Sequence, residues 1–468
     1  MLYSNGSDSL SGLLFRLRGE IVEEKFKLLK KKILRIRRAI PLLILLALLA
    51  PSSASSAFNF ISTPRTVAET PDSLSRKDRI KLFDEVWEMI NERYYDRRFN
   101  GVDWHAVRKQ YRPMVDKVSS DEGLYGLLKK MTGELRDAHT RFHTPQEREE
   151  RQRLQYVSAG IYIGEVEGEK VILGVEPGSE AERAGIKPGM RVITIDGKRI
   201  EECLADAQTR IGNSSSERAV RLRLYRSLLR GEPGATVKLG LARADGTGFE
   251  ATITRRTVSD QPRVHHLRLP SGYGYIKLNL WKSPIHKEFK RAIKELWDAP
   301  GLILDLRGNP GGEVNEVLKI ASYFLPEDTP FGRFFTRSGK LLDLETGEDE
   351  DEIYNGPVAI IINEGSGSGS ELFAGVLQEN GRAVVTGRQS CGCLLGISKY
   401  RKVKGGGELA ISELGYLSPK GRRLEGEGVI PDRAVALTIS DLQSQRDASL
   451  ELAENLLRSP LKTSAVRR

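Results

Sequence analysis

A chain of 468 residues has room for two or three domains, and 39% hydrophobic with 29% charged residues is an ordinary globular composition. Three cysteines, Cys203, Cys391 and Cys393, are too few for a disulfide framework. The formal charge of +10 is no nucleic-acid footprint: residues 1–40 carry ten Lys/Arg against four Asp/Glu, the next 17 are uncharged, and the remainder holds only +4, without a basic patch interleaved with aromatics.

In chain order, residues 1–57 read as an export signal. A basic segment (Lys30-Lys31-Lys32, Arg35, Arg37, Arg38) precedes a short apolar run from Pro41 to Ala50, and Ala54-Ser55-Ser56-Ala57 offers a cleavage site. About ten apolar residues fall short of the roughly 20 that span a bilayer. The mature protein is therefore expected to be exported, periplasmic or secreted, with a retained membrane anchor as the alternative.

Residues 58–75 read as a linker. From 76 to 152 a helical cap is expected: Phe83, Val86, Trp87, Ile90 and Tyr94 fall at i, i+3, i+4, i+7 and i+11, and helical patterns follow at 104–118 and 124–135. The cap ends in Leu135-Arg136-Asp137-Ala138-His139-Thr140.

Residues 153–256 contain Val175 to Lys198, V-E-P-G-S-E-A-E-R-A-G-I-K-P-G-M-R-V-I-T-I-D-G-K, which resembles a PDZ domain. Such a domain adds an extended peptide to a sheet edge and holds its terminal carboxylate in backbone N–H groups. The resemblance puts that loop at Ala159, Gly160 and Ile161. A long insertion, 200–231, departs from the pattern and leaves open whether it extends or caps the groove. The arginines between Arg210 and Arg230 have the spacing of a solvated helix face.

From 257 to 440 short strands alternate with helices: strands at 273–280, 302–306 and 358–362, helices at 287–297, 314–324 and 371–380. That alternation implies an α/β layer structure with a largely parallel sheet. Residues 441–468 read as a C-terminal helix and tail. His265 and His266 fall in an apparent linker and read as structural.

The chemistry concentrates in two turns. After the apolar run Val358–Ile362, Gly365-Ser366-Gly367-Ser368-Gly369-Ser370-Glu371 places hydroxyls on a tight strand-to-helix turn, where a helix N-terminus favours developing negative charge. Asp305-Leu306-Arg307-Gly308-Asn309-Pro310-Gly311-Gly312 follows a buried strand with glycines that let backbone N–H groups approach a ligand. The stretch from Pro357 to Gly392, with this second turn, resembles the carboxy-terminal processing (tail-specific) serine proteases. The resemblance implies a crotonase/ClpP-like core with an N-terminal helical cap and an inserted PDZ domain. It makes Ser368 the nucleophile, and forms the oxyanion hole from Gly369 with a glycine of the Gly311–Gly312 pair.

One position breaks the pattern. The family's general-base lysine falls on Cys393, and its orienting glutamine on Ile397. A thiol there would first have to ionise, and nothing cationic adjoins it. Cys391-Gly-Cys393 could also be read as a redox or metal pair, although no His/Cys cluster with zinc spacing accompanies it. Tricorn-like relatives use a Ser-His-Glu arrangement, and the chain has matching pieces in His139 and Glu425. Histidine near pKa 6.5 suits general-base work, so activity is expected to fall as the pH drops through roughly 7 to 6. His143 is a second possible base, and Glu427 the rival to Glu425.

The expected function is an exported serine endopeptidase of Ser-His-Glu type, cleaving proteins near exposed C-terminal tails without metal or cofactor. The alternative is an inactive pseudoprotease acting as a PDZ peptide-binding adaptor.

Overall fold

The computed structural model describes residues 74–347 and 352–458. The expected leader, nearly all of the linker and the final tail lie outside the described residues.

Helices α1 (Arg76–Arg93), α2 (Trp104–Val115) and α3 (Asp121–Gly133) begin on Ser75, Asp103 and Ser120, whose side chains accept the N–H of Asp78, Ala106 and Gly123. These caps satisfy N–H groups that a helix start leaves without partners. The stripe Phe83, Val86, Trp87, Ile90 and Tyr94 is the buried face. Strand β1 (Arg141–His143) leaves the helices and pairs antiparallel with Glu408–Ala410 of the core. Val403, Leu409 and Ile411 therefore complete the helical cluster, and the cap's base is built partly from distant sequence. Helix α4 (Pro145–Arg153) follows.

Strands β2 (Gln155–Ser158) and β9 (Arg256–Ser259) pair antiparallel at the entry and exit of the next unit. Between them β3 (Ile161–Val166), β4 (Glu169–Val175), β5 (Arg191–Ile195), β7 (Thr236–Ala242) and β8 (Gly248–Thr254) form a sheet in the order β3-β4-β5-β7-β8, with the short β6 (Lys198–Arg199) on β5. Helix α5 (Glu180–Arg183) precedes β5, and the insertion is helical, α6 (Ile200–Gln208) and α7 (Glu217–Leu228). Tyr225 and the following Leu229 share an apolar cluster with Ile161 and Ile163. The insertion thus packs on β3, the sheet edge.

The core sheet runs β10 (Val264–Arg268), β11 (Gly274–Leu278), β12 (Leu302–Asp305), β15 (Val358–Ile362), β16 (Val384–Gly387), β20 (Arg433–Ala434), all parallel except β10. A three-stranded antiparallel sheet joins β13 (Pro330–Thr336), β14 (Leu341–Glu345) and β19 (Leu414–Leu417). His265 and His266 lie on β10, not in a linker, and His266 Nε2 is 2.9 Å from Glu295. Val358, Ile360 and Ile362 face a cluster that includes α8 (Ile285–Glu295), α9 (Val314–Ala321) and α10 (Gly369–Glu379). Ala359 and Ile361 face Ala453 and Leu457 of the C-terminal helix (Ala448–Arg458). Burial on both faces explains why β15 reads as a continuous apolar run rather than an alternating one.

Candidate active site

The serine turn leaves β15 and enters α10. Its three serines have different surroundings. Ser366 donates to the Leu306 carbonyl (2.7 Å) and accepts the Asn363 N–H. Ser370 donates to the Asn309 carbonyl (3.0 Å) and accepts from Trp281 Nε1 (2.9 Å). Both are fully buried, whereas Ser368 between them is half-buried. Ser368 has φ 49° and ψ −112°, a conformation that costs a non-glycine residue about 1–3 kcal/mol. Its N–H is held by the Cys393 carbonyl (3.0 Å) and Glu371 Oε2 (2.9 Å).

The second turn packs directly on Ser368. A Cβ on Gly311 (φ 107°) would sit 2.6 Å from the Ser368 Cβ, and one on Gly312 (φ 142°) 2.0 Å from the Trp281 carbonyl oxygen. Gly311 donates its N–H to Asn309 Oδ1 (3.0 Å). The N–H groups of Gly312 and of Gly369, the first residue of α10, donate to nothing among the described residues. The pair of available donors is therefore Gly312 and Gly369, and Gly311 contributes its lack of a side chain. Asp305 and Arg307 of the same motif are structural: Arg307 grips Asp305 (2.7 Å) and Asp447 (2.8 Å), tying the strand to the C-terminal segment.

The loop 390–394 lies across the turn. Cys391 and Cys393 are joined by a disulfide, so neither sulfur is a free thiol or a metal ligand. Glu371, wholly buried, accepts from the Ser390 hydroxyl (2.6 Å) and the N–H groups of Gly392 (2.6 Å) and Cys393 (2.9 Å), besides Ser368. Burial pushes its pKa up, opposed by those donors. Sequence reasoning missed this role. The available signal was Ser368-x-x-Glu371, a helix-capping spacing. The insertion holds the same loop from outside: Ser216 donates to the Cys391 carbonyl (2.5 Å), and Arg218 to the carbonyls of Ser390 (2.8 Å) and Glu427 (2.6 Å). Arg218 and Arg223 bond main-chain carbonyls, so the helix does not present a uniformly solvated arginine face.

Glu425 and the residue before His139 reach this loop. Ala138 packs with the disulfide and with Ala219 of α7. Glu425 Oε2 accepts the Leu394 N–H (2.6 Å). Ser368 and Glu425 thus both bond the loop 391–394, whereas His139 is linked to it only through its neighbour Ala138, and the three do not close into a chain: among the described residues, His139 Nδ1 and Glu425 Oε1 are both buried with no hydrogen-bond partner. Burial lowers the His139 pKa to about 4, with Asp137 opposing and Arg141 adding. Burial raises that of Glu425 to about 8, reinforced by Asp137 and opposed by Ser215. His143 is separate, its ring tilted against that of Tyr400 (centroids 6.0 Å), and its pKa is lowered by burial to about 4. The Glu427 main-chain oxygen accepts from Arg218 (2.6 Å) and from Gln389 Nε2 (2.7 Å).

In the β3 unit, Ala159 and Ile161 are buried and Gly160 has φ 77°. The Gly160 N–H is taken by Ser158 Oγ (2.9 Å), which itself donates to Glu176 (2.7 Å).

The model of peptidase family S41 matches residues 272–435, and that of the tricorn protease C1 domain residues 75–133. The chain is 29% identical over 411 residues to the carboxyl-terminal-processing protease of Synechocystis sp., covering 84% of this chain and 90% of that one. It is 26% identical over 421 residues to carboxyl-terminal-processing peptidase 3, chloroplastic, of Arabidopsis thaliana, covering 86% and 76%. The photosystem II D1 C-terminal processing protease superposes with a TM-score of 0.54 at 24% identity, over 82% of this chain and 98% of that one. Mature CPAF complexed with lactacystin gives 0.63 at 14%, with the same coverage. At these identities the two structures speak for the fold. With the serine turn and its paired N–H donors on that fold, the chain is a serine peptidase whose residues 272–435 match family S41, and it is similar over most of its length to the carboxyl-terminal-processing proteases.

Proposed function

We propose that the protein is an exported endopeptidase that cuts proteins near their C-terminal tails with Ser368 as nucleophile, His139 as general base and Glu425 as the carboxyl that orients His139. The observation that carries this reading is Ser368, held in a strained helix-start conformation beside the available N–H groups of Gly312 and Gly369, while the residue at the usual lysine position lies in a disulfide.

The chemistry follows from these positions. Ser368 Oγ attacks the scissile carbonyl carbon as its proton passes to His139. The carbonyl oxygen becomes an oxyanion that the two N–H groups receive. Collapse breaks the C–N bond, His139 returns the proton to the amine, and water repeats the sequence on the acyl-enzyme. A missing oxyanion donor typically costs about 10²–10³-fold in rate. Residues 153–256 deliver substrate as a PDZ domain, with the tail along the open edge of β3 and its carboxylate at Ala159–Ile161, displacing Ser158 from the Gly160 N–H. The basic and apolar leader directs export.

Labelling by a fluorophosphonate, which needs an activated serine, tests the assignment. Wild type should label, and Ser368→Ala and His139→Ala should not. The partnerless His139 Nδ1 and Glu425 Oε1 favour a second reading, a peptide-binding adaptor without catalysis; failure of the wild type to label would select it.

A further inference from the structure

We infer that Asp137 is a positioning residue for His139: one of its oxygens fixes the His139 loop on the core, and its charge acts on the imidazole when that ring takes the serine proton. The inference rests on His139 being the base.

The geometry is specific. Asp137 is 3% exposed. Its Oδ1 accepts the N–H of His139 (2.7 Å) and of Thr140 (2.6 Å), closing the loop on itself as aspartate turns do. The same oxygen accepts the Ser412 hydroxyl (2.9 Å), and Ser412 returns its N–H to Thr140 Oγ1 (3.1 Å). Ser412 lies between β18 (Glu408–Ala410) and β19, and its carbonyl receives the Tyr95 N–H from the end of α1. Asp137 Oδ1 thus joins the His139 loop to Ser412, which in turn is bonded to the end of the first cap helix. Asp137 Oδ2 is buried and acts on the buried Tyr94 hydroxyl, while His139 Nδ1 is buried with no hydrogen-bond partner among the described residues.

A carboxylate used only as a loop clasp would do as well as an amide, because an asparagine oxygen accepts the same bonds. The charge adds something an amide lacks. Asp137 opposes the lowering of His139 by burial, and it raises Glu425. Arg141 works against it on His139, and Glu371 adds to it on Glu425. Tyr94, Tyr95 and Arg223 also feel its field. In a buried site a fixed negative charge favours the imidazolium formed during attack, the role a carboxylate has in serine-protease triads generally.

The test is the pH dependence of fluorophosphonate labelling of Ser368 in the full chain, comparing wild type with Asp137→Asn, Asp137→Glu, Ser412→Ala and His139→Ala. Asp137→Asn keeps the clasp and removes the charge. It should label about ten-fold more slowly or more, with the acid limb moved to lower pH by about one unit, because both groups this charge raises fall together. A folded Asp137→Asn that does not label at any pH supports the inference as well. Ser412→Ala and Asp137→Glu keep the charge and should leave the limb in place. Wild-type rate and limb in Asp137→Asn, alongside a dead His139→Ala, would overturn the inference and leave a structural clasp. If Asp137→Asn does not fold, a limb displaced downward in Asp137→Glu overturns it. An active His139→Ala would instead remove the base assignment, a distinguishable failure.

Discussion

The N–H of Ser368 donates to the main-chain carbonyl of Cys393 at 3.0 Å. The position to which the family resemblance assigns the base lysine therefore holds Ser368 by its backbone, and its side chain is free to differ. Cys393→Ala should keep activity within about ten-fold of wild type, since neither the carbonyl nor the N–H donated to Glu371 depends on the sulfur. Alkylation of the native, unreduced protein should label Cys203 alone, and all three cysteines after denaturation and reduction. Abolished turnover in both Cys393→Ala and alkylated enzyme would require a thiol mechanism.

Ser368→Ala should reduce turnover by about 10³-fold or more while leaving the melting temperature within a few degrees, because the half-buried hydroxyl contributes little to the core. Peptide hydrolysis and thermal melts measured together check this. Retention of half the wild-type rate would end the assignment.

Gly312→Ala should be worse for folding than Gly311→Ala is for its neighbours. The new Cβ would meet the rigid Trp281 carbonyl at 2.0 Å, and φ 142° strains any other residue. Loss of soluble protein, or a melting temperature lower by several degrees with no labelling of Ser368, is expected. A stable, active Gly312→Ala would refute this packing argument, since alanine keeps the N–H but must still place its Cβ against the Trp281 carbonyl.

In the proposed mechanism the working form has neutral His139 and ionised Glu425. His139, lowered to about 4, is neutral through the physiological range. Glu425, raised to about 8, keeps its proton below that and then donates to the imidazole instead of accepting from it. Activity should rise with pH through about 8, above the roughly 6 to 7 of an unperturbed imidazole. A kcat/KM profile flat from pH 6 to 9 would contradict this.

Arg218→Ala removes two charge-assisted bonds to carbonyls of the loop beside Ser368, each worth about 1.5–3 kcal/mol. Severalfold lower kcat with little change in binding of tail peptides is expected, measured on the full chain and on a Ser368→Ala background respectively. Unaltered kcat would mean that α7 only covers the loop. On the same background, free-carboxylate peptides should bind better than their amides; equal affinity would exclude a carboxylate nest at Gly160.

Much was legible locally. The stripe from Phe83 to Tyr94, the all-apolar β15 and the glycine turns at 311–312 and 365–369 each express a backbone or burial requirement of neighbouring residues, which periodicity and glycine placement report directly. The core strands and helices were read close to their observed bounds for that reason. Glu371 was legible in principle as a capping residue, but its bonds to Ser390, Gly392 and Cys393 join segments about twenty residues apart.

What only the tertiary structure decided is which groups share one small buried volume. The sequence by itself determined the residue types, the local turns and the absence of the usual lysine. It could not say that α7 docks on the loop at Cys391, that Gly311 donates inward to Asn309 and leaves Gly312 available, or that Asp137 meets Ser412 across 275 positions. Those contacts depend on how the cap, the inserted unit and the core close on one another. Burial then moves His139 and Glu425 in opposite directions, because removal from water penalises an imidazolium and a carboxylate alike, one by losing its proton and the other by keeping it.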